Sequence, residues 1–432
     1  MSQPDSDEDG DILSALPDCL LHIIMSFLPA RQAVQTCLLS RRWRDLWRSM
    51  PCLDIDGDKF MSTTAASSSS FHSATASTST PMVNWVKMEN FTTNMLFTHN
   101  AQSLDRFRLN LPDHMRITGH PDDVERQAKR WILRGFRYQP KEIQIAIGTI
   151  SDSIFRTKLP FLGATSARRL KRMQLSGLAL GKLFGDCIRS WCPVLESMEL
   201  KNCNIDFNEI VSDTIKSLAI VDCHGCHPQV DLVERKTLAV KAPNLTSLFL
   251  RYKALGYRVI FVDQMDSLVE ASICQTCWHM ILFHDDLYVD VLGRLLNVEN
   301  LNLSCSPPPE VEPSPNISIN VPTFHKMNTL RFHQCDLGRN LHILRSFLKN
   351  APNLEKIILE NCKIPDNLGK RKRKARVNKR RPSKRKGVII SDSQDSKLIR
   401  ITYRDGDIKN LIELLLDNRR KLESNTIVIT KF

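Results

Sequence analysis

Three stretches of the sequence share one pattern: LESMELKNC at residues 195–203, MNTLRFHQC at 327–335 and LEKIILENC at 354–362. In each stretch, apolar residues occupy the first, fourth and sixth positions, and a cysteine occupies the ninth. The fourth and sixth positions are two residues apart, so on a β-strand their side chains point to the same side. The pattern therefore predicts a short strand that is apolar on one side and is followed by a turn.

This pattern recurs along most of the chain. The first apolar positions of the units are Leu170, Leu195, Ile215, Leu245, Leu268, Val298, Met327, Leu354 and Leu398, with weaker units at Leu104 and near Pro140. Helix-like stretches precede several of the strands. A single unit cannot bury its own apolar edge, so neighbouring units must stack. The repeat predicts an α/β solenoid with a parallel sheet, the leucine-rich-repeat horseshoe, rather than the alternative of a doubly wound α/β domain.

Composition limits the class of protein. Of 432 residues, 42% are hydrophobic and 25% are charged, as in a soluble globular protein. The net charge is +13, but the segment 370–386 holds twelve Lys or Arg and no acid, so the other residues sum to about +1. No uncharged apolar run reaches the roughly 20 residues that cross a bilayer. We expect an intracellular protein with reduced thiols, nuclear and/or cytoplasmic, with no membrane partner.

Shifts in composition also suggest boundaries. Thirteen of the nineteen residues from Ser62 to Thr80 are Ser or Thr, which is typical of a flexible linker. The predicted segments are an acidic disordered tail at 1–11, a helical module at 12–53, a Ser/Thr-rich linker at 61–81 and the solenoid at 82–432, which contains a Pro-rich loop at 306–322 and a disordered basic insertion at 370–386. The linker predicts that the helical module stands apart from the repeats.

Two cysteine motifs suggest metal, haem or redox chemistry. Cys223 begins a C-x-x-C-H motif, and Cys274 begins a second C-x-x-C motif. However, Cys223 also occupies the ninth position of the repeat, where a small side chain turns inward. The repeat therefore accounts for this cysteine without a metal or haem ligand. An enzyme that used these pairs for redox chemistry would need exposed thiols of low pKa. We therefore predict no metal, no cofactor, no catalytic residue and no enzymatic activity of the chain itself.

The module at 12–53 is divided by prolines. Pro17 begins one predicted helix and Pro29 ends it, and residues 30–40 and 41–50 are predicted to form two more helices. In the first helix, Leu16, Leu20, Ile23 and Phe27 form one apolar stripe, and Leu21, Ile24 and Leu28 form a second. A module of this size has an interior for only one stripe, so the other is predicted to meet a partner.

At these residues the chain resembles a known family. Leu16-Pro17, Leu28-Pro29 and the string CLLSRRWRDLW at 37–47 resemble a plant F-box, and the whole chain is similar to plant F-box/leucine-rich-repeat proteins. The tail at 407–432 resembles only loosely the FBD segment of some of these proteins. The resemblance implies that the F-box binds a Skp-type adaptor, and through it a cullin, while the repeats bind a substrate protein. The implied adaptor-binding residues are Leu16, Pro17, Leu20, Ile24, Leu28, Val34, Leu38 and Trp43.

The basic insertion has two clusters separated by a short spacer, as in a bipartite nuclear-import signal that binds an importin. The predicted signal residues are Lys370, Arg371, Lys372, Arg373, Lys374, Lys379, Arg380, Arg381, Lys384, Arg385 and Lys386. Electrostatic attachment to nucleic acid and a solvated surface loop are the alternatives. No aromatic residue interrupts the run, so stacking on single-stranded bases is not expected.

Two classes of function follow. The first is a substrate-recognition subunit of an SCF-type (Skp–cullin–F-box) ubiquitin ligase, which positions a target and performs no chemistry itself. The second is a nuclear scaffold or nucleic-acid-associated repeat protein in which the helical module is only structural. The first requires exposed Leu and Ile side chains within residues 16–38, whereas the second predicts that the repeats bury them.

Overall fold

A computed structural model describes residues 12–60, 80–113, 121–148, 156–160, 167–225, 237–252, 258–262, 265–275, 291–305, 321–335, 344, 346–362, 398–403 and 426–431. The acidic tail, most of the Ser/Thr-rich linker, almost all of the Pro-rich stretch, the whole basic insertion and most of the C-terminal tail lie outside these residues. The chain divides into two compact units. The first comprises Met1–Leu245 and Leu255–Val262, and the second comprises Thr246–Ala254 and Asp263–Phe432.

The first unit begins with short helices: α1 (Ile12–Ala15), α2 (Asp18–Met25) and α3 (Ala30–Gln35). Pro17 and Pro29 each stand one residue before a helix, in an extended conformation, and their carbonyls accept hydrogen bonds from the first turn. The helix predicted at 41–50 is replaced by two short 3₁₀ turns, Arg42–Arg44 and Leu46–Ser49. These turns bury Trp43 and Leu46 in the module.

Six parallel strands form the main sheet of this unit. They are β1 (Cys52–Asp56), β2 (Arg106–Leu111), β3 (Glu142–Ile147), β5 (Arg172–Ser176), β7 (Ser197–Lys201) and β10 (Ser217–Val221). Each pairs in register with the next, so that the buried positions form continuous rows across the sheet. The weaker units near Leu104 and Pro140 are confirmed as strands β2 and β3.

Three helices and two small sheets also belong to this unit. The helices are α4 (Thr80–Thr98), α5 (Pro121–Arg137) and α6 (Phe184–Trp191). One small sheet holds β4 (Thr157–Lys158), β6 (Leu178–Leu180), β8 (Asn204–Ile205) and β11 (His224–Gly225), and the other holds β9 (Glu209–Val211), β12 (Thr237–Lys241) and β14 (Arg258–Phe261). Helix α5 lies against the sheet at Gly135, where a Cβ atom would come within 2.4 Å of the Phe107 ring.

The second unit contains seven more parallel strands. They are β13 (Ser247–Tyr252), β15 (Glu270–Gln275), β16 (Asn300–Cys305), β17 (Thr329–His333), β18 (Lys356–Glu360), β19 (Leu398–Tyr403) and β20 (Thr426–Lys431). Their pairing is also in register, residue by residue. The predicted parallel sheet is therefore confirmed in both units, and it extends to β20, which pairs with β19 although it lies in the loosely assigned tail.

One turn recurs at the ends of the strands. The residue two positions after the last apolar position has a left-handed backbone, with φ between 49° and 72°; these residues are Gly177, Asn202, Asp222, Gln334 and Asn361. In the last four turns the next residue is a buried cysteine whose thiol donates to a carbonyl of the preceding strand. One such bond joins Cys203 Sγ to Leu175 O at 3.4 Å, and another joins Cys362 Sγ to Phe332 O at 3.4 Å. The cysteine position of the repeat thus closes each turn onto the neighbouring unit.

The helical module does not stand apart from the sheet. The sequence placed the start of the repeats at residue 82, but β1 begins at Cys52, directly after the module and before the Ser/Thr-rich stretch. Asn100 N donates to Arg48 O at 2.8 Å, and the Arg106 guanidinium donates to Ser26 O at 3.0 Å. The Ser/Thr-rich stretch is therefore an insertion between β1 and α4, and the module is attached to the end of the sheet.

Candidate functional site

Exposed apolar side chains are concentrated in the helical module. Of the fifteen large apolar side chains that are exposed in the described part of the chain, seven lie within residues 13–39: Leu13, Leu20, Ile23, Ile24, Phe27, Leu38 and Leu39. Phe27 is 80% exposed and Leu38 is 84% exposed. Single exposed apolar residues are ordinary in soluble proteins, but a concentration of them indicates an interaction surface.

Helix α2 shows how this surface arises. Leu21 and Met25, one turn apart, are fully buried against the rest of the module. The adjacent residues Leu20 and Ile24 are exposed, and Ile23 lies on the same outward side. A short helix on a small module has only one stripe in contact with the interior, so its remaining apolar residues face solvent.

The two stripes predicted from the sequence are therefore divided differently. Leu21 was grouped with Ile24 and Leu28, yet Leu21 is buried while Ile24 is 39% exposed. Leu28 is half-buried. The prediction that only one stripe fits inside is consistent with the packing, but the buried stripe is Leu21 and Met25. A methionine was not counted in either stripe, which is why the sequence analysis missed it.

The predicted adaptor-binding residues occupy three environments. Pro17, Leu20, Ile24 and Leu38 are exposed, whereas Leu16, Leu28 and Val34 are half-buried. Trp43 is only 4% exposed and lies in the interior of the module, where it supports the helices rather than presenting a surface. Four exposed apolar residues of the module were absent from the prediction: Leu13, Ile23, Phe27 and Leu39. Ile23 and Phe27 were recognised as part of an apolar stripe, so the spacing carried the information needed to include them.

Polar contacts hold α2 against the turns that follow. The His22 Nε2 atom lies 3.2 Å from Leu46 O and 3.1 Å from Ser49 Oγ. At the start of the helix, the Arg42 Nε atom donates to Asp18 Oδ1 at 3.1 Å. Ion pairs this exposed contribute little to stability. Together, the contacts of His22 and Arg42 orient α2, and hence set the direction in which Leu20 and Ile24 point.

The cysteine motifs were candidates for redox or metal chemistry. The neighbouring Cys203 thiol and burial raise the pKa of Cys223, and burial raises the pKa of Cys192 to about 12. Thiols with raised pKa values are protonated at neutral pH and are poor nucleophiles. The second cysteine of each C-x-x-C motif, at 226 and 277, lies outside the described residues. Among the residues that the structure describes, no group of His, Cys, Asp or Glu side chains is arranged to hold a metal ion.

None of the helices in the described ranges combines the length and the apolar character needed to span a bilayer.

Comparison with known proteins agrees with the geometry of the module. The F-box domain model matches residues 13–54, which include every exposed apolar residue described above. A protein of Oryza sativa subsp. japonica called "MEIOTIC F-BOX protein MOF" is 33% identical over 419 residues, which cover 92% of this chain and 81% of that protein. An F-box/LRR-repeat protein of Arabidopsis thaliana is 25% identical over 448 residues, or 99% of this chain and 90% of the relative. The chain belongs to the plant F-box/LRR-repeat proteins.

The family extends to the C-terminal part of the chain. An FBD-associated F-box protein of Arabidopsis thaliana is 24% identical over 452 residues, covering 96% of this chain and 92% of that protein. The F-box of this chain comprises the helices, the 3₁₀ turns and the beginning of β1. An F-box implies binding to a Skp-type adaptor. In this F-box protein, the outward side of α2 together with Leu38 and Leu39 is an exposed apolar surface within the matched residues.

Proposed function

We propose that this F-box protein is a substrate-recognition subunit of an SCF-type ubiquitin ligase. Its F-box binds a Skp-like adaptor, the adaptor connects it to a cullin, and the parallel sheet, curved as a leucine-rich-repeat horseshoe, binds a target protein for ubiquitination. The chain performs no chemistry itself. The observation that carries the proposal is the exposed apolar surface of Leu20, Ile23, Ile24, Phe27 and Leu38 within the F-box.

The magnitude of this surface is consistent with a stable complex. Each large apolar side chain withdrawn from water contributes about 1.5–3 kcal/mol. Association costs roughly 4–15 kcal/mol in lost freedom, so five such residues can offset it when polar contacts assist. The alternative of a scaffold with a purely structural module expects these residues to be covered by the repeats. Their exposure favours the ligase subunit.

The proposal is tested by binding of a purified plant Skp-type adaptor to the full chain, measured by isothermal titration calorimetry. We expect the wild type to bind, and a Leu20→Ala/Ile24→Ala/Leu38→Ala variant to lose binding. All three side chains are exposed, so circular dichroism and thermal melting of the variant should match the wild type. Phe97→Ala is the matched control, because Phe97 is also 80% exposed but lies on α4, outside the F-box.

A wild-type chain that fails to bind the adaptor would overturn the proposal. Equal loss of binding in the Phe97→Ala control would also count against it, because the effect would then not be specific to the F-box surface. A Leu16→Ala/Pro17→Ala/Leu28→Ala variant adds the half-buried edge of the same surface. We expect this variant to bind more weakly and also to lose some stability.

The basic insertion supports a second proposal, nuclear import through an importin. The supporting observation is its two clusters of Lys and Arg in a chain that is otherwise nearly neutral. Replacing the basic residues of both clusters with Gln should move a fluorescent fusion of the full chain from the nucleus to the cytoplasm. An unchanged distribution would contradict the proposal. Adaptor binding by the same variant should be unaffected.

A further inference from the structure

The strands of both units have an open face opposite the buried one. On each strand the residues that alternate with the buried positions point to this face. In-register pairing places residues from neighbouring strands side by side, so the open face can be followed strand by strand. The side chains on this open face differ between the two units.

In the first unit, oppositely charged residues on the open face pair with each other. Arg108 Nη1 lies 3.0 Å from Asp54 Oδ1 on the adjacent strand. Arg172 Nη1 lies 2.7 Å from Glu142 Oε1, again on adjacent strands. These pairs fix the neighbouring strands to each other. They leave little charge imbalance with which a partner could be attracted.

The second unit has a face with different chemistry, which we call the Phe249–His333 face and define by Phe249, Arg251, Ser272, Asn302, Arg331 and His333. Phe249 is 38% exposed, although the equivalent position on every strand of the first unit's main sheet carries a polar residue or alanine. Its neighbour in register is the much smaller Ser272, and beyond it lies Asn302. A large aromatic side chain therefore stands beside a floor of short polar side chains.

Hydrogen bonds keep this floor flat. Asn302 Nδ2 donates to Ser272 Oγ at 2.9 Å and to Glu270 Oε1 at 3.2 Å. The second bond engages the carboxylate of Glu270 near the edge of the face. Ser304 Oγ lies 3.5 Å from His333 Nδ1 on the next strand. The short side chains between Phe249 and Arg331 thus hydrogen-bond to one another.

Cationic side chains lie on both sides of this floor. Arg251 follows Phe249 on the same face of β13, and Arg331 lies on β17, three strands away. Arg331 Nη1 is 3.5 Å from Glu360 Oε1, a long and partly exposed ion pair. Its Nε atom is buried and has no hydrogen-bond acceptor among the described residues, so only the outer guanidinium nitrogens are available to a ligand. Strands are about 4.8 Å apart, and Arg331 is also offset from Arg251 by two residues along the strands, so the backbones of the two arginines are separated by roughly 16 Å.

We propose that the Phe249–His333 face binds an extended acidic segment of the target protein that carries an aromatic or large aliphatic side chain. The apolar side chain packs on Phe249, and carboxylates or phosphates of the segment accept hydrogen bonds from Arg331 and Arg251. Guanidinium groups suit this task because they bind oxyanions in a bidentate geometry. This inference rests on the proposed function, because it names the kind of target segment that the parallel sheet binds.

The test uses a phage-displayed library of random peptides and the full chain, with all twelve Lys and Arg of 370–386 changed to Gln. That change is needed because the basic insertion would itself attract acidic peptides. We expect enriched peptides to be rich in Asp and Glu and to contain one aromatic or large aliphatic residue. Fluorescence anisotropy of an enriched peptide should then show about tenfold weaker binding to Arg331→Gln and to Phe249→Ala.

Matched controls come from the first unit. Arg108→Gln and Arg172→Gln remove the same charge from the open face there, and we expect no change in peptide affinity. The inference is overturned if no peptide is enriched, if the enriched peptides are not acidic, or if Arg331→Gln binds them as the parent chain does. Titration of a Skp-type adaptor into the same preparations separates the two proposals. Adaptor binding without peptide binding overturns only this inference, and peptide binding without adaptor binding overturns only the ligase function.

Discussion

The F-box and the repeat strands use the same residue types in opposite ways. On the strands, leucine and isoleucine at the repeat positions are almost wholly buried, as Leu200 and Ile220 show. In the F-box, Leu20, Ile24 and Leu38 are exposed. The difference lies in the neighbours: each repeat covers the apolar edge of the next, whereas the small helical module covers only one stripe of α2. An apolar residue therefore stabilises the fold in one region and is available for binding in the other.

The largest expected effect is on the free energy of unfolding, and it should distinguish two adjacent residues on α2. Leu21 is fully buried and Leu20 is 43% exposed. We expect Leu21→Ala to lower the free energy of unfolding by about 2–5 kcal/mol, as does Leu200→Ala on β7, because each leaves a cavity. Leu20→Ala should change it by less than about 0.5 kcal/mol. Urea denaturation measures both, and similar losses for Leu20→Ala and Leu21→Ala would show that the two sides of α2 are not distinct.

A second prediction concerns pH at the junction of the two regions. Burial, with a smaller contribution from the Arg134 charge, lowers the pKa of His99 from its usual 6.5 to about 4. Because the unfolded chain binds the proton more readily, stability should fall as the pH drops from about 6.5 to 4, by roughly 3 kcal/mol in total, and then level off. His99→Phe should reduce this slope in urea titrations. A slope equal to that of the wild type would contradict burial of a neutral imidazole.

A third prediction sharpens the binding side of the comparison. Single substitutions Leu38→Ala and Ile24→Ala should each weaken adaptor binding by about 1.5–3 kcal/mol, or roughly tenfold or more, because each removes a side chain that the complex would bury. Neither should shift the thermal midpoint appreciably. Calorimetric titration and a melting curve on the same sample decide the matter. If a variant loses stability but keeps its adaptor affinity, the substituted residue stabilises the fold, as the buried strand residues do, and does not bind the adaptor.

The smallest expected effect comes from the turns of the repeat. Gln334 has φ of 56°, in the left-handed region where residues other than glycine are disfavoured. Gln334→Gly should therefore raise the free energy of unfolding by up to about 1 kcal/mol. Asn202→Gly should give a smaller gain, since asparagine tolerates this region better than glutamine. If both variants are less stable than the wild type, the turns are held by contacts of the replaced side chains.

Several features were predictable from local pattern. The fourth and sixth positions of each unit, such as Met198 and Leu200, are buried as the period of two requires. The cysteine at the ninth position is inward and buried at residues 203, 223, 335 and 362. The boundary between module and sheet was missed, although Met50, Leu53 and Ile55 have the apolar spacing of the other units and are buried, because this unit directly follows the helical segment. The predicted boundary was therefore placed at the Ser/Thr-rich stretch, which follows β1.

By itself, the sequence determined the class of the protein and the apolar edge of most strands in the main sheets of the two units, because the alternation of a strand is a local property that no partner alters. It also identified α2 as a helix with more apolar residues than its module can bury. Only the tertiary structure decided which of those residues face outward. Leu20 and Leu21 are chemically identical neighbours, and their fates differ because the turns Arg42–Arg44 and Leu46–Ser49 and the strand Cys52–Asp56 fold back to the module. The fully buried Leu21 lies in its interior, and there is no room there for Leu20.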